Sequence, residues 1–257
     1  GRMCPTFGLL TPRMCPAGYV CDEVGKATWS KLCPAGYWCG EGTLTANASS
    51  ALSPKPNPCA PGTYCLMGVT TNRTVPGRLD TAQICVEGTY CQASTGSPQG
   101  TAPCPRGYYC GTGVSAPSPA RPGFYVNRPG SVLEVPCSPG TFTATVGTIQ
   151  CMACPAGHSC ADDGTVSPGP CEAGQYRSVT DSVSCMLCPT GTWSTRKGLT
   201  DESLCEPCPP GVVCSIAGMV DLNVSSPCPE GYVCGPRTNS ENQFDVKCPP
   251  GYMDRGR

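Results

Sequence analysis

Charge is scarce in this chain: 14 % of its 257 residues are charged, and 17 basic residues against 18 acidic leave a net charge of −1. That balance gives no reason to expect a nucleic-acid or anionic-membrane partner. Long apolar runs are missing too. No stretch of about 18 apolar residues is present, and no signal-peptide pattern, so a membrane anchor or leader, if any, lies outside this segment. Aromatic residues make up 7 %, too few for a large shared core. Thirty prolines and 32 glycines argue against long helices and long strands. There is one histidine, His158.

What the chain has is cysteine, 24 residues in all, a density that marks disulfide scaffolds and an oxidising compartment. We therefore expect an extracellular or cell-surface protein that reaches its place through the secretory pathway. Three sequons agree with this, at Asn47, Asn72 and Asn223, each an acceptor pattern for N-linked glycans.

The cysteines fall in a repeated heptad. It reads CPAGYVC from Cys15 to Cys21, CPAGYWC from Cys33 to Cys39, CAPGTYC from Cys59 to Cys65 and CVEGTYC from Cys85 to Cys91. CPRGYYC follows from Cys104 to Cys110, CPAGHSC from Cys154 to Cys160, CPPGVVC from Cys208 to Cys214 and CPEGYVC from Cys228 to Cys234. A longer form delays the second cysteine, from Cys137 to Cys151, Cys171 to Cys185 and Cys188 to Cys205. Recurrence on this scale defines an internal-repeat protein.

The spacing has a mechanical reading. Six residues of extended chain span roughly 20 Å, whereas a disulfide needs α-carbons about 4.4–6.8 Å apart. The segment must therefore turn back on itself, with proline and glycine supplying the turn. The aromatic after the glycine, as at Tyr19, Tyr37, Tyr64, Tyr90 and Tyr108, is expected to pack on the disulfide just made. Modules this small need such staples in place of a core.

Two pairing registers compete. In one, each motif closes on itself, Cys15 with Cys21 through Cys228 with Cys234, leaving Cys4 and Cys248 unpaired within the fragment. In the other, each motif's last cysteine joins the next motif's first, which forces pairs within Cys151-x-x-Cys154, Cys185-x-x-Cys188 and Cys205-x-x-Cys208. Two details favour the first. GRMC at the start fits the tail of a heptad with Gly1 in the glycine slot, and CPPGYM from Cys248 is the head of another, as if the chain were cut from a longer array. The stretch ARPGFYV carries Ala120 and Val126 where two cysteines would stand, and losing both together orphans no partner.

The expected organisation follows the repeats. Residues 1–14 are the end of a truncated repeat. Residues 15–58 hold short repeats with a Ser/Pro-rich insert that carries a sequon, and 59–119 hold further short repeats. Residues 120–136 form a degenerate unit without cysteines. Long and short repeats fill 137–214, a short one 215–247, and 248–257 begins another truncated repeat. The predicted fold class is small disulfide-rich repeats: an elongated, solenoid-like rod of tandem cysteine-rich modules with little regular secondary structure and short β pairs. TDESL, from Thr200 to Leu204, is the one segment expected to cap a helical turn.

The long form, in CSPGTFTATVGTIQCMAC and CPTGTWSTRKGLTDESLCEPC, resembles the ephrin-receptor-like cysteine-rich repeat, related in style to the tumour-necrosis-factor-receptor module. The resemblance is clearest from Cys137 to Cys214 and weaker before it. It implies an elongated extracellular, disulfide-stapled rod without catalytic activity, as found in animal receptors and in large surface proteins of protists and algae.

Sharper chemistry has a plainer structural reading at each place. The C-x-x-C pairs resemble zinc knuckles, yet each joins the end of one repeat to the start of the next. A redox site needs an exposed, activated thiol in a βαβ setting, which the pattern lacks. His158 has Ser159, Asp162 and Asp163 nearby in sequence, but no cleft to assemble them is indicated. An exposed ring in place of tyrosine is expected there. Asp22-Glu23, Asp162-Asp163 and Asp201-Glu202 lack the alternating oxygen ligands of a calcium loop and read as solvated turns. No catalytic residue, metal or cofactor is expected. The expected function is a non-enzymatic structural segment that forms or spaces a filament or matrix at the cell surface. Its expected partners are other copies of itself or other filament proteins, with Trp29, Trp38, Phe124 and Trp193 exposed for packing. The alternative is the ligand-binding ectodomain of a receptor or adhesin.

Overall fold

The computed structural model describes residues 2–4, 11–29, 31–179 and 183–251. Among them there is no α-helix, and the strands are almost all two residues long. Gly1, expected in a glycine slot, and the residues after Gly251, expected in a further repeat, lie outside the described residues.

One rule generates the strand pairs. The two residues after a motif glycine pair antiparallel with the two residues before the next opening cysteine. Tyr19 thus faces Leu32 and Val20 faces Lys31, while Thr192 faces Pro207 and Trp193 faces Glu206. The pairs stay short because the next residue is already committed. Cys33 N–H donates to the Gly18 carbonyl at 2.9 Å, and Cys208 N–H to that of Gly191 at 2.9 Å. Proline is tolerated at the end of the second strand, as at Pro103, Pro119 and Pro170, because a two-stranded pair has an outer side that needs no donor.

The turn inside each motif is closed by the residue after the glycine rather than by the glycine itself. Tyr19 N–H donates to Pro16 O at 3.3 Å, and Gly18, third of the four turn residues, has φ +83°, as a type II turn requires. Threonine after the glycine adds a second bond to the same carbonyl. Thr63, Thr141 and Thr192 hydroxyls donate to Ala60, Ser138 and Pro189 carbonyls at 2.7, 2.7 and 2.6 Å.

Contacts divide the chain into two compact units. The first comprises Gly1–Arg121, Tyr125–Val135 and Val146–Gln150; the second comprises Pro122–Phe124, Pro136–Thr145 and Cys151–Arg257. Within each unit the loop after a motif folds back onto an earlier motif. In the first unit, Gly147 N–H donates to Ala120 O at 2.8 Å and Val126 N–H to Thr148 O at 2.9 Å. This unit also holds the longest strands, Thr71–Thr74 and Thr81–Ile84, which pair in parallel.

Both units have small local cores built around sulfur. In the first, Cys59, Cys65, Val69 and Ala82 cluster with Trp38 against them, and Val20 packs with Cys33 and Cys39. In the second, Tyr176 packs with Cys188, Leu199 and Cys205, and Trp193 lies against Cys208, Cys214 and Met219.

These clusters correct one expectation. A ring directly after the motif glycine, Tyr37, does pack on its own disulfide. The next residue along, at Val20, Trp38, Tyr176 and Trp193, packs instead on the disulfide of the following motif. Trp38 and Trp193 are half-buried for this reason; Phe124 is half-buried too, and of the four aromatics expected to be exposed only Trp29 is.

TDESL forms a single 3-10 turn, Glu202–Leu204, capped by Asp201, whose carboxylate accepts from Ser203 N–H at 2.9 Å. A second such turn, Leu222–Val224 capped by Asp221, was not anticipated. Its sequence carries the same aspartate-first pattern, with the Asp221 carboxylate accepting from Asn223 N–H.

Candidate functional site

The feature repeated through the chain is a seam of backbone hydrogen bonds between successive motifs. Three kinds of bond make it. A motif glycine N–H donates to the carbonyl at the closing position of the next motif: Gly18 to Cys39 at 2.8 Å, Gly62 to Cys91 at 2.8 Å and Gly191 to Cys214 at 2.9 Å. The closing residue's own N–H donates to a carbonyl in the loop beyond the next motif: Cys21 to Thr43 at 3.0 Å, Cys65 to Thr95 at 2.9 Å and Cys214 to Thr238 at 3.0 Å. A loop residue then returns a bond to the opening cysteine one motif back: Gly42 to Cys15 at 2.7 Å and Gly218 to Cys188 at 2.8 Å.

The seam does not depend on cysteine at the closing position. Val126, Thr143, Arg177 and Ser194 stand there in the degenerate and long forms, all buried. Their carbonyls or N–H groups make the same bonds: Gly107 to Val126 O at 2.8 Å, Gly123 to Thr143 O at 2.8 Å, Gly157 to Arg177 O at 2.9 Å and Ser194 to Met219 O at 2.9 Å.

The loop residue that returns to the opening cysteine was missed in the sequence, although a signal was there. It lies three or four residues after the closing position and is glycine at Gly42, Gly68, Gly113, Gly130, Gly147, Gly164, Gly198 and Gly218, all with positive φ. Ser94 and Arg237 hold the same place with φ +64° and +66°, conformations that cost an L-residue energy.

Eleven disulfides staple the seam. Each motif closes on itself: Cys15–Cys21, Cys33–Cys39, Cys59–Cys65, Cys85–Cys91 and Cys104–Cys110, then Cys137–Cys151, Cys154–Cys160, Cys171–Cys185, Cys188–Cys205, Cys208–Cys214 and Cys228–Cys234. Their α-carbon separations run from 5.6 Å at Cys171–Cys185 to 6.2 Å at Cys59–Cys65, inside the range a disulfide tolerates. No pair of the alternative register occurs among the described residues. Cys4 and Cys248 are free, the first exposed and the second half-buried. Arg2–Met3 pair with Arg13–Met14, which gives Cys4 a closing position, and Cys248 N–H donates to Gly231 O at 2.9 Å, the bond of an opening one.

The degenerate motif keeps its shape without sulfur. Ala120 and Val126 are buried, and Ala120 N–H donates to Gly107 O at 2.9 Å, as an opening cysteine does.

In the second unit Arg177 stands six residues after Cys171, the position where a short motif has its closing cysteine. Only 3 % of the residue is exposed. Its Nη1 donates to Pro155 O at 3.0 Å and to Cys154 O at 3.4 Å, so the charge is spread onto carbonyls of the preceding motif.

The remaining candidates are placed as follows. His158 is half-buried rather than exposed, because it lies in a strand pair opposite Pro170; its Nδ1 is 3.0 Å from Ala156 O. Asp22 pairs with Lys31, and Glu23 with Lys26 at 2.9 Å. Asp162 and Asp163 are exposed, and Glu202 accepts from the Tyr176 hydroxyl at 3.0 Å. Among the described residues no three metal-ligating side chains gather. Asp201 is held below the usual carboxylate range by hydrogen bonds from the Ser203 side chain and backbone. An open cleft in the first unit is lined by Tyr64, Val75, Pro76 and Ile84.

Asn47, Asn72 and Asn223 are all exposed, but their surroundings differ. Asn47 Oδ1 accepts from Ser49 N–H at 2.9 Å and Asn72 Oδ1 from Ala60 N–H at 3.2 Å. Asn223 donates from Nδ2 to Asp221 Oδ2 at 2.8 Å, while Ser225 Oγ donates to Leu222 O at 2.6 Å.

No protein-family model matches this chain, and no curated protein matches it. The fold itself defines the class: a cysteine-rich repeat array, stapled by disulfides within short-strand modules. Its disulfide content fits an extracellular protein, and no helix among the described residues is long and apolar enough to cross a membrane.

Proposed function

We propose that this chain is a non-enzymatic structural segment of an extracellular or cell-surface protein, serving as a stapled spacer or as a subunit of a filament or matrix. The observation that carries the reading is the seam. The same backbone bonds recur whether cysteine, valine, threonine, arginine or serine fills the closing position. A chain built this way adds length by adding modules, each resting on its neighbours. Sulfur then limits how far any module opens. The likeness of the long form to the ephrin-receptor-like repeat supports the same reading. So do Trp38, Tyr176 and Trp193, each packed on the disulfide of the following motif.

The proposed partners are further copies of this chain or other filament proteins, with N-linked sugars on the surface. Exposed apolar side chains such as Leu79 and Leu133 offer contact area without charge repulsion. Negative-stain microscopy of natively purified, unreduced protein tests this. A repeating assembly is expected. A uniform monomer that binds a soluble ligand would overturn the structural reading in favour of a receptor or adhesin ectodomain.

A further inference from the structure

The three sequons share a tripeptide pattern but not a chemistry. We propose that Asn47 and Asn72 carry N-linked glycans and that Asn223 is left bare, an inference that rests on the secretory reading above.

Transfer of a glycan forms a bond from Asn Nδ2 to C1 of the sugar and breaks the bond from C1 to the diphosphate of a lipid-linked donor. The diphosphate leaves with the electron pair, and the amide nitrogen gives up a proton. The acceptor must therefore present a free Nδ2, and the hydroxyl two residues on must be free to engage the transferase. At Asn47 and Asn72 the residue's own fold uses only Oδ1, as an acceptor from Ser49 N–H and Ala60 N–H. No bond from either Nδ2 occurs among the described residues. Ser49 and Thr74, which supply the hydroxyls, are exposed.

At Asn223 both groups are spent. Nδ2 donates to Asp221 Oδ2 at 2.8 Å, the backbone N–H donates to Asp221 Oδ1 at 2.9 Å, and the Ser225 hydroxyl donates to Leu222 O at 2.6 Å. These bonds close the turn Leu222–Val224. They span at most three residues, so they form as quickly as a local turn does and compete with transfer before the flanking motifs are stapled. An ionised aspartate is also a strong acceptor, which makes the competition unequal.

The test is glycopeptide mapping of the full chain secreted from a glycosylating animal cell line, digested without reductant, with enzymatic glycan release marking each occupied asparagine. Occupancy is expected at Asn47 and Asn72 and little at Asn223. Full occupancy at Asn223, or bare Asn47 and Asn72 in secreted material, overturns the proposal. Asp221→Ala is expected to raise Asn223 occupancy several-fold; no change would sink the hydrogen-bond account. The same digest reports the disulfides, so a wrong sequon assignment on a correctly stapled chain is distinguishable from failure of the extracellular reading itself.

Discussion

The carbonyl oxygen of Gly68 lies 2.5 Å from the point where a β-carbon on Gly18 would stand. Gly18 already has φ +83°, so glycine is required twice over, by backbone conformation and by a neighbouring backbone two motifs along. The relationship recurs at Gly62 against Gly113 O, at 2.3 Å, and at Gly174 against Gly218 O, at 2.4 Å.

Gly18→Ala and Gly25→Ala separate the two requirements. Gly25 has φ +80° with nothing within 4 Å of an added β-carbon. Alanine there is expected to cost only the left-handed penalty, about 1–2 kcal/mol. At Gly18 the clash adds to it, and the seam bond from Gly18 N–H to Cys39 O should open. Hydrogen exchange at the Gly18 amide reads the difference; equal protection in both variants would refute the close-approach argument.

Ser94 and Arg237 are the reverse case. Each pays for positive φ where most other motifs have glycine, so Ser94→Gly and Arg237→Gly are expected to stabilise their modules. The gain should approach about 1 kcal/mol, less the extra freedom glycine gives the unfolded chain. Slower proteolysis of the loop, compared under identical conditions, checks this.

The sulfur-free motif at Ala120 and Val126 sets an expectation for its neighbour. Replacing Cys104 with alanine and Cys110 with valine together should keep the seam bonds and lose about 2 kcal/mol of chain-entropy stabilisation. Removing Cys188 and Cys205, which are 17 residues apart, should cost nearer 3 kcal/mol. Unfolding in denaturant without reductant measures both. A double variant at Cys104 and Cys110 that loses its amide protection altogether would show that sulfur, not backbone, organises the module.

Arg177 tests a buried charge. Arg177→Ala leaves the carbonyls of Cys154 and Pro155 without this donor and is expected to cost about 1–3 kcal/mol. Arg177→Lys should recover part of it, since an ammonium can donate to the same carbonyls but lacks the planar shape and the further donors of the guanidinium. Equal stability of all three proteins would remove the guanidinium from the account.

The Asp201 cap predicts a sign with pH. Its carboxyl titrates below the usual range in the folded state because Ser203 donates to it. The contribution is therefore complete above the unfolded value of about 3.9 and is lost as pH falls through the lower folded value. Ser203 amide exchange should be flat at higher pH, after correction for intrinsic rates, and accelerate only under acid. Asp201→Asn should abolish that step.

Much of this architecture is written locally. A cysteine, a turn proline, a glycine and a second cysteine six residues on leave a hairpin little choice, because the distance between the two sulfurs is set by covalent geometry. The lack of α-helix among the described residues follows from the same prolines and glycines, and Asp201 announced its turn. Tyr37 on its own disulfide was equally legible, since ring and sulfur are four residues apart.

What only tertiary structure decided lies between motifs. Val20, Trp38, Tyr176 and Trp193 look like neighbours of their own cysteines in sequence, yet they pack on the next motif's. The loop glycines look like spacers, yet they return bonds to an earlier opening cysteine. Such choices depend on which backbone donors remain unsatisfied once every hairpin has closed. No single heptad contains that information; it lies in the bonds between successive motifs.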